Sequence, residues 1–137
     1  MTALKVTCAL IILNKKVLVV QNNANSDHSF KWEFAGGKIR VNETEEDAIT
    51  REIIEELEIE IDIHKKMNSV DFDYGFKQIV LIPFLCSIKK GELKLNEHKD
   101  FKWVNFAELD EINFSGADKK LIEQKQNLAI LKKYIGK

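Results

Sequence analysis

The chain has 137 residues, 45% of them hydrophobic and 31% charged, with one proline and a formal net charge of −1. That length suits a single domain, residues 1–137, with a real core. The near-neutral balance offers no global field for nucleic acid or an anionic membrane. Cys8 and Cys86 sit far apart in apolar runs; they make no metal pattern and read as reduced core residues of a cytoplasmic protein. The opening stretch MTALKVTCALIILNKKV meets its lysines too soon for a membrane span. It has neither a basic leader nor a small-residue cleavage site, so neither export nor insertion is expected.

In chain order, Leu4 to Leu13 and Lys16 to Gln21 are β-rich runs around Asn14-Lys15 and predict a hairpin. Residues 22–31 are polar and loop-like, and a short strand from Trp32 to Phe34 runs into a glycine turn at Gly36-Gly37. Thr44 with Asp47 three residues on resembles a capping box, and helix formers follow to Leu57. Ile59 to Ile63, Ser69 to Tyr74 and Gln78 to Ile88 predict strands, the middle pair meeting at Gly75. Pro83 demotes its strand locally to an edge or a bulge. Gly91 turns the chain and Phe101 to Val104 is another short strand. Residues 119–137 hold six lysines and one Glu around Leu121, Ile122, Leu128, Leu131 and Ile135, the spacing of one amphipathic helix. Mixed strands with one internal and one terminal helix point to an α+β fold, an α/β/α sandwich around a mixed sheet.

The internal helix is oddly acidic. Nine of the 22 acids lie between Glu43 and Glu60, opposed there only by Arg51. At about 100° per residue, Glu45, Glu52, Glu55 and Glu56 share an arc of roughly 100° beside an apolar arc of Ile49, Ile53 and Leu57. Two unit charges about 6 Å apart at an effective dielectric near 20 repel by about 3 kcal/mol. A solvated acidic face would cost far less, so the crowding is expensive only where it is partly buried. A divalent cation removes that cost. Mg²⁺ takes oxygen ligands and is shared between a few carboxylates and substrate phosphates. The glycines add a backbone that can approach closely, with a free carbonyl.

The spacing Gly37, Glu43, Arg51-Glu52-Ile53, Glu55-Glu56, Glu58-Ile59 resembles the Nudix box, G-x5-E-x7-R-E-U-x-E-E-x-G-U, with U a bulky aliphatic. One specified position departs: Glu58 stands where the family has Gly. There the helix either ends in a left-handed residue, at about 1 kcal/mol, or runs on. WEFAGGK resembles the W-E-F-P-G-G-K of the MutT-like branch, nucleoside triphosphate pyrophosphohydrolases, and Ala35 in place of Pro is shared with the CTP pyrophosphohydrolase type. DFDYGFK lacks the proline of the ADP-ribose type, while Tyr74 lies near the tyrosine favoured by the diadenosine-polyphosphate type.

The resemblance implies Mg²⁺-dependent hydrolysis of (deoxy)nucleoside triphosphates, with Mn²⁺ as a possible replacement, by a monomer or homodimer whose partner is a small nucleotide. By position, Glu52 would be the general base or its partner, Arg51 would orient the glutamates, and Glu43 would tie loop to helix. The Gly36 carbonyl, Glu52, Glu55 and Glu56 would hold metal. Glu97 is the candidate for an extra ligand or base from a facing loop, with His98 beside it a surface or hydrogen-bonding residue. Candidate substrate contacts are Gln21 (where many relatives have Arg), Phe34, Lys38, Tyr74, Lys77 and Asp118. Phe34, Tyr74 and Phe76 either stack on a base or, for Phe34 as for Trp32 and Trp103, belong to the core. Asp118 either caps the terminal helix or reads a base edge; ionised Asp only accepts, which favours amino donors such as cytosine N4 without excluding purines. The alternatives are another Nudix substrate, a dinucleoside polyphosphate or ADP-ribose, and a non-catalytic nucleotide-binding module.

Overall fold

The computed structural model describes residues 3–26 and 28–136. Met1, Thr2, Asp27 of the polar loop and Lys137 of the basic tail lie outside the described residues. Strand β1 (Leu4–Leu13) and β2 (Lys16–Gln21) form the expected hairpin, with Leu13 opposite Lys16. Asn14 and Lys15 both take positive φ, 52° and 61°, the backbone that lets a two-residue turn match the twist of its strands.

The next segment departs from the expectation of a glycine turn. Strand β3 is only Trp32–Glu33, and Gly36–Lys38 forms a strand of its own, β4, antiparallel to β1 with Cys8 opposite Gly36 and Thr7 opposite Gly37. A Cβ on Gly36 would lie 2.0 Å from the Thr7 carbonyl oxygen. Close packing on β1, not chain reversal, is therefore what demands glycine there.

Helix α1 (Glu45–Leu57) begins at Thr44, whose hydroxyl accepts the Asp47 N–H at 3.0 Å. It stops at Glu58, left-handed at φ 60°, whose N–H reaches the Ile54 carbonyl at 3.0 Å. Strands β5 (Glu60–Lys66), β6 (Val70–Asp73), β7 (Gln78–Lys90) and β8 (Asp100–Val104) complete one mixed sheet, with the order β3-β2-β1-β7-β5 along its main path. Strand β7 runs parallel to β1 on one side and antiparallel to β5 and β6 on the other.

Pro83 thus lies within a central strand rather than at an edge. Its carbonyl accepts the Met67 N–H at 2.9 Å. A strand residue's N and C=O face the same side, so its missing donor faces the crossover between β5 and β6, where the ladder is interrupted.

The tail is two helices, α2 (Gly116–Glu123) and α3 (Lys125–Ile135), not one. Between them Gln124 is extended, at φ −64° and ψ 127°. Fully buried Asn127 accounts for the break. Its Nδ2 donates to the Asn68 and Leu121 carbonyls and its Oδ1 accepts the Asn68 N–H. Meeting those partners re-aims α3 and leaves Leu128 partly exposed, while Leu121, Ile122, Leu131 and Ile135 are buried as expected.

Both faces of the sheet are covered. Cys8 and Leu10 of β1 with Val17 and Val19 of β2 face a core closed by Leu121, Leu131 and Ile135 of the tail helices. Ala9, Ile11, Leu18 and Val20 face Ile49, Ile53 and Leu57 of α1. The result is the expected α/β/α sandwich, and two-faced burial explains why β1 reads as a continuous apolar run. Among the described residues no helix is long and apolar enough to cross a membrane. Cys8 and Cys86 are buried free thiols.

Candidate active site

Burial of Ile49, Ile53 and Leu57 fixes the rotation of α1 and turns its acidic arc toward β4. Arg51 organises that arc. Its Nε and Nη2 fork the Glu43 carboxylate at 2.6 and 3.0 Å; Nη1 donates to Glu52 at 3.1 Å and Glu55 at 3.2 Å, and Nη2 to the Lys38 carbonyl at 3.1 Å. Glu43 also accepts the Arg40 N–H at 2.8 Å. The Arg51 bonds, then the Arg40 amide, hold its acid down to about 2, so it remains ionised and ties loop to helix.

Glu52 presses on the second glycine: a Cβ on Gly37 would lie 2.4 Å from its carboxylate. Glu56, 6% exposed, accepts the Gly36 N–H at 3.2 Å. Gly36 falls between the hydrogen-bonded pairs of the β1–β4 ladder, so its carbonyl also faces away from β1, toward the acids. Burial first, then the charges of Glu52, Glu33 and Glu97, push the Glu56 acid up to about 10. Glu97 is exposed on the loop between β7 and β8, its carbonyl held by Asn23 Nδ2 at 2.9 Å. Its charge acts on Glu56 from that loop.

Among the described residues no three His, Cys, Asp or Glu side chains converge as a ligand set. Arg51 draws Glu43, Glu52 and Glu55 to itself. The donor chemistry nevertheless fits a hard divalent cation: carboxylates and an outward carbonyl, around an acid that burial and neighbouring acids together disfavour as an anion.

Beside the acids lies a cleft of about 110 Å³ lined by Thr7, Cys8, Glu33, Phe34, Tyr74 and Asp118, among others. Asp118 is buried, its Oδ2 accepting the Phe34 N–H and its Oδ1 the Ser115 hydroxyl, each at 2.9 Å. Ser115 takes the N-cap position, so Asp118 does not cap the helix. Burial, then the Glu33 charge, push the Asp118 acid up to about 7. It therefore exists both as a donor and as a pure acceptor near neutrality, and the accept-only argument holds only above that value. Phe34 is 2% exposed with its ring against Phe114 at 5.2 Å, a wall of the cleft rather than a free stacking plate. The Tyr74 hydroxyl accepts the Ala117 N–H at 2.8 Å, and its ring lies tilted against His28, centroids 4.5 Å apart. Lys77 lines the same cleft, with its ammonium 5.5 Å from the exposed Phe76 ring.

Two candidates lie outside it. The Gln21 side chain donates to the Phe30 carbonyl at 3.1 Å, and exposed Lys38 offers its carbonyl to Arg51. Trp32 is core, and Trp103 packs partly buried against the core on the α1 face of the sheet. A larger cavity of about 470 Å³, lined by Phe106, Leu109, Ile122 and Leu128 among others, holds none of the candidate catalytic, metal or substrate residues.

Sequence reasoning missed Glu33 and Ser115. Glu33 spans the two halves of the site, acting on both Glu56 and Asp118. It is held by His98 Nε2 at 3.1 Å, and the His98 side chain is only 5% exposed. The signal was the alternation Trp32-Glu33-Phe34, which turns an acid away from two buried aromatics.

A family model for the NUDIX domain matches residues 3–125. The chain is 32% identical over 123 residues to the CTP pyrophosphohydrolase of Escherichia coli (strain K12), covering 90% of this chain and 91% of that one. It is 26% identical over 115 residues to the 8-oxo-dGTP diphosphatase of the same organism, covering 84% and 89%. Among solved structures, the E. coli ORF135 protein superposes with a TM-score of 0.80 at 30% identity, over 95% of this chain and 91% of that one. The MutT NUDIX hydrolase from Burkholderia pseudomallei gives 0.81 at 23% identity, over 90% and 98%, a likeness of fold. With Arg51, Glu52, Glu55 and Glu56 of the box set on α1 beside the glycine strand, the chain belongs to the Nudix family, in its MutT-like and CTP-pyrophosphohydrolase-like branch, and is a hydrolase of phosphorus anhydrides.

Proposed function

We propose that the protein hydrolyses (deoxy)nucleoside triphosphates to a nucleoside monophosphate and pyrophosphate, clearing unwanted nucleotides from the pool. The observation that carries this reading is the adjacency of the Glu52–Glu56 pair, set on the glycine strand, to the cleft floored by Asp118. A triphosphate fits the first and a base the second. The CTP and 8-oxo-dGTP activities named for the relatives support the substrate class.

Glu55, Glu56, Glu97 and the Gly36 carbonyl would hold Mg²⁺, with Glu52 shared between metal and proton transfer. Bound there, the ion would neutralise charge on the polyphosphate and make a nearby water more acidic. Glu52 takes the proton from the water that attacks the β-phosphorus; the bond from that phosphorus to the bridging oxygen breaks, and the monophosphate leaves. Arg51 holds Glu52 and Glu55 in place and Glu43 anchors Arg51. Asp118, with the Phe34 amide and Ser115 fixing its carboxyl, meets the base edge; Lys77 lies at the rim.

The test is pyrophosphate release with Mg²⁺ across the normal NTPs and dNTPs, 8-oxo-dGTP, 5-methyl-dCTP, ADP-ribose and diadenosine polyphosphates. Preference for a cytosine nucleotide supports the Asp118 argument, and preference for 8-oxo-dGTP replaces it within the same class. Turnover confined to ADP-ribose or a dinucleoside polyphosphate overturns the triphosphate reading. Glu52→Gln is expected to lose at least about 100-fold in turnover; a variant within threefold of wild type removes Glu52 from the mechanism.

A further inference from the structure

Helix α1 ends with three carbonyls to satisfy. The Glu58 N–H closes on Ile54, the last turn carries no basic side chain, and the carbonyls of Glu55, Glu56 and Leu57 remain. All three are met by the loop between β7 and β8. Lys94 N–H donates to Leu57 at 2.9 Å, Asn96 N–H to Glu56 at 3.0 Å, and Asn96 Nδ2 to Glu55 at 2.8 Å. Asn96 thus grips successive residues whose side chains are two of the candidate ligands, and it precedes the third, Glu97, in the chain. Without such a grip the exposed acid Glu97 has reason to move off, because the negative end of the helix repels it. A neutral amide suits the position, since it supplies two donors without adding a charge beside the acids. Beyond Glu97, Asn23 holds its carbonyl, and the Lys99 N–H donates to the Gln21 carbonyl at 2.9 Å. The side chain is therefore presented from a short span tied down at both ends.

We infer that Asn96 is a positioning residue: it latches the β7–β8 loop to the end of α1 and so fixes Glu97 opposite Glu52 and Glu56. This rests on the proposed metal role of those glutamates. Nucleotide-free protein is titrated with Mn²⁺, followed by electron paramagnetic resonance, and turnover is measured on the same preparations. Asn96→Ala is expected to weaken Mn²⁺ binding and lower kcat by about 10-fold each, the usual effect of losing a group that orients a ligand. The nucleotide KM should stay within about twofold, because the base cleft is untouched. Asn96→Leu, of similar shape without donors, should behave alike and guards against a failure to fold. In a Glu97→Gln background the Asn96 change should add nothing, since the two act through one group. The same 10-fold effect in that background would show that Asn96 serves only the helix end, overturning the inference. Full Mn²⁺ affinity in Asn96→Ala, with Glu97→Gln alone impaired, would overturn the latch and leave the metal site standing. Unchanged Mn²⁺ binding in Glu97→Gln would overturn the role of Glu97 and the latch with it.

Discussion

Replacing Glu58 by glycine should stabilise the protein. Glu58 occupies the left-handed conformation at the end of α1, at φ 60° and ψ 31°, and donates its N–H to the Ile54 carbonyl. A residue with a Cβ is strained there by ~1–2 kcal/mol, and glycine is not. Glycine also adds ~0.4–1 kcal/mol of backbone freedom to the unfolded chain, which offsets part of the gain. Removing a negative charge from the negative end of a helix contributes a further ~0.3–1 kcal/mol. Glu58→Ala separates these effects, because it removes the charge and keeps the strain. Glu58→Gly should therefore exceed wild type by ~1 kcal/mol and also exceed Glu58→Ala. At ~2.1 cal/mol/K per residue, 1 kcal/mol in a chain of this size raises Tm by about 3 °C. Differential scanning calorimetry of the three proteins at one pH and one Mg²⁺ concentration reads this directly. A Glu58→Gly protein that melts at or below Glu58→Ala would refute the strain argument.

Asp118 makes stability depend on pH. Its acid, faced by Glu33, Tyr74, Cys8 and Ser115, is raised from 3.8 to about 7, so its contribution is fully present below about pH 4 and lost as pH rises through about 7. Denaturant unfolding of wild type and Asp118→Asn should therefore diverge between those values, in favour of the amide, by up to a few kcal/mol at ~1.4 kcal/mol per unit; parallel curves would contradict it. Gly37→Ala places a methyl 2.4 Å from the Glu52 carboxylate. Displacing that group should cost turnover about 100-fold while circular dichroism remains native, and an active Gly37→Ala enzyme would show that Glu52 need not touch β4.

The features legible in the sequence were those written in local chemistry. Thr44 and Asp47 announced the start of α1, and Asn14-Lys15 between two apolar runs announced the hairpin. Isoleucines at helical spacing beside glutamates announced both the buried face and the reactive one. What escaped was decided at long range. Pro83 reads as an edge signal until its missing donor is seen to face the gap between β5 and β6. Nothing in Gln124, an adequate helix former, announces a break; the break is imposed by Asn127, which must find partners at Asn68, 59 positions away. Gly36 and Gly37 look like a turn because their crowding comes from Thr7 and Glu52, which the sequence places elsewhere. Gln21, a candidate by analogy with arginine in relatives, has its amide tied to Phe30, a bond across the polar loop that the sequence does not announce.

The pairing of β1 with β7 also bears on how the chain is made. Leu4 aligns with Ile79 and Ile11 with Cys86, so the first strand meets its parallel partner only after some 75 further residues have been joined. At ~5–20 residues per second that is roughly 4–15 s of synthesis. The β1–β2 hairpin can close early because its turn is local, but one edge of LKVTCALIIL stays open throughout that interval. A long, largely apolar strand is thus left waiting for its partner. A chain truncated before β7 is complete is therefore expected to expose that edge and to aggregate.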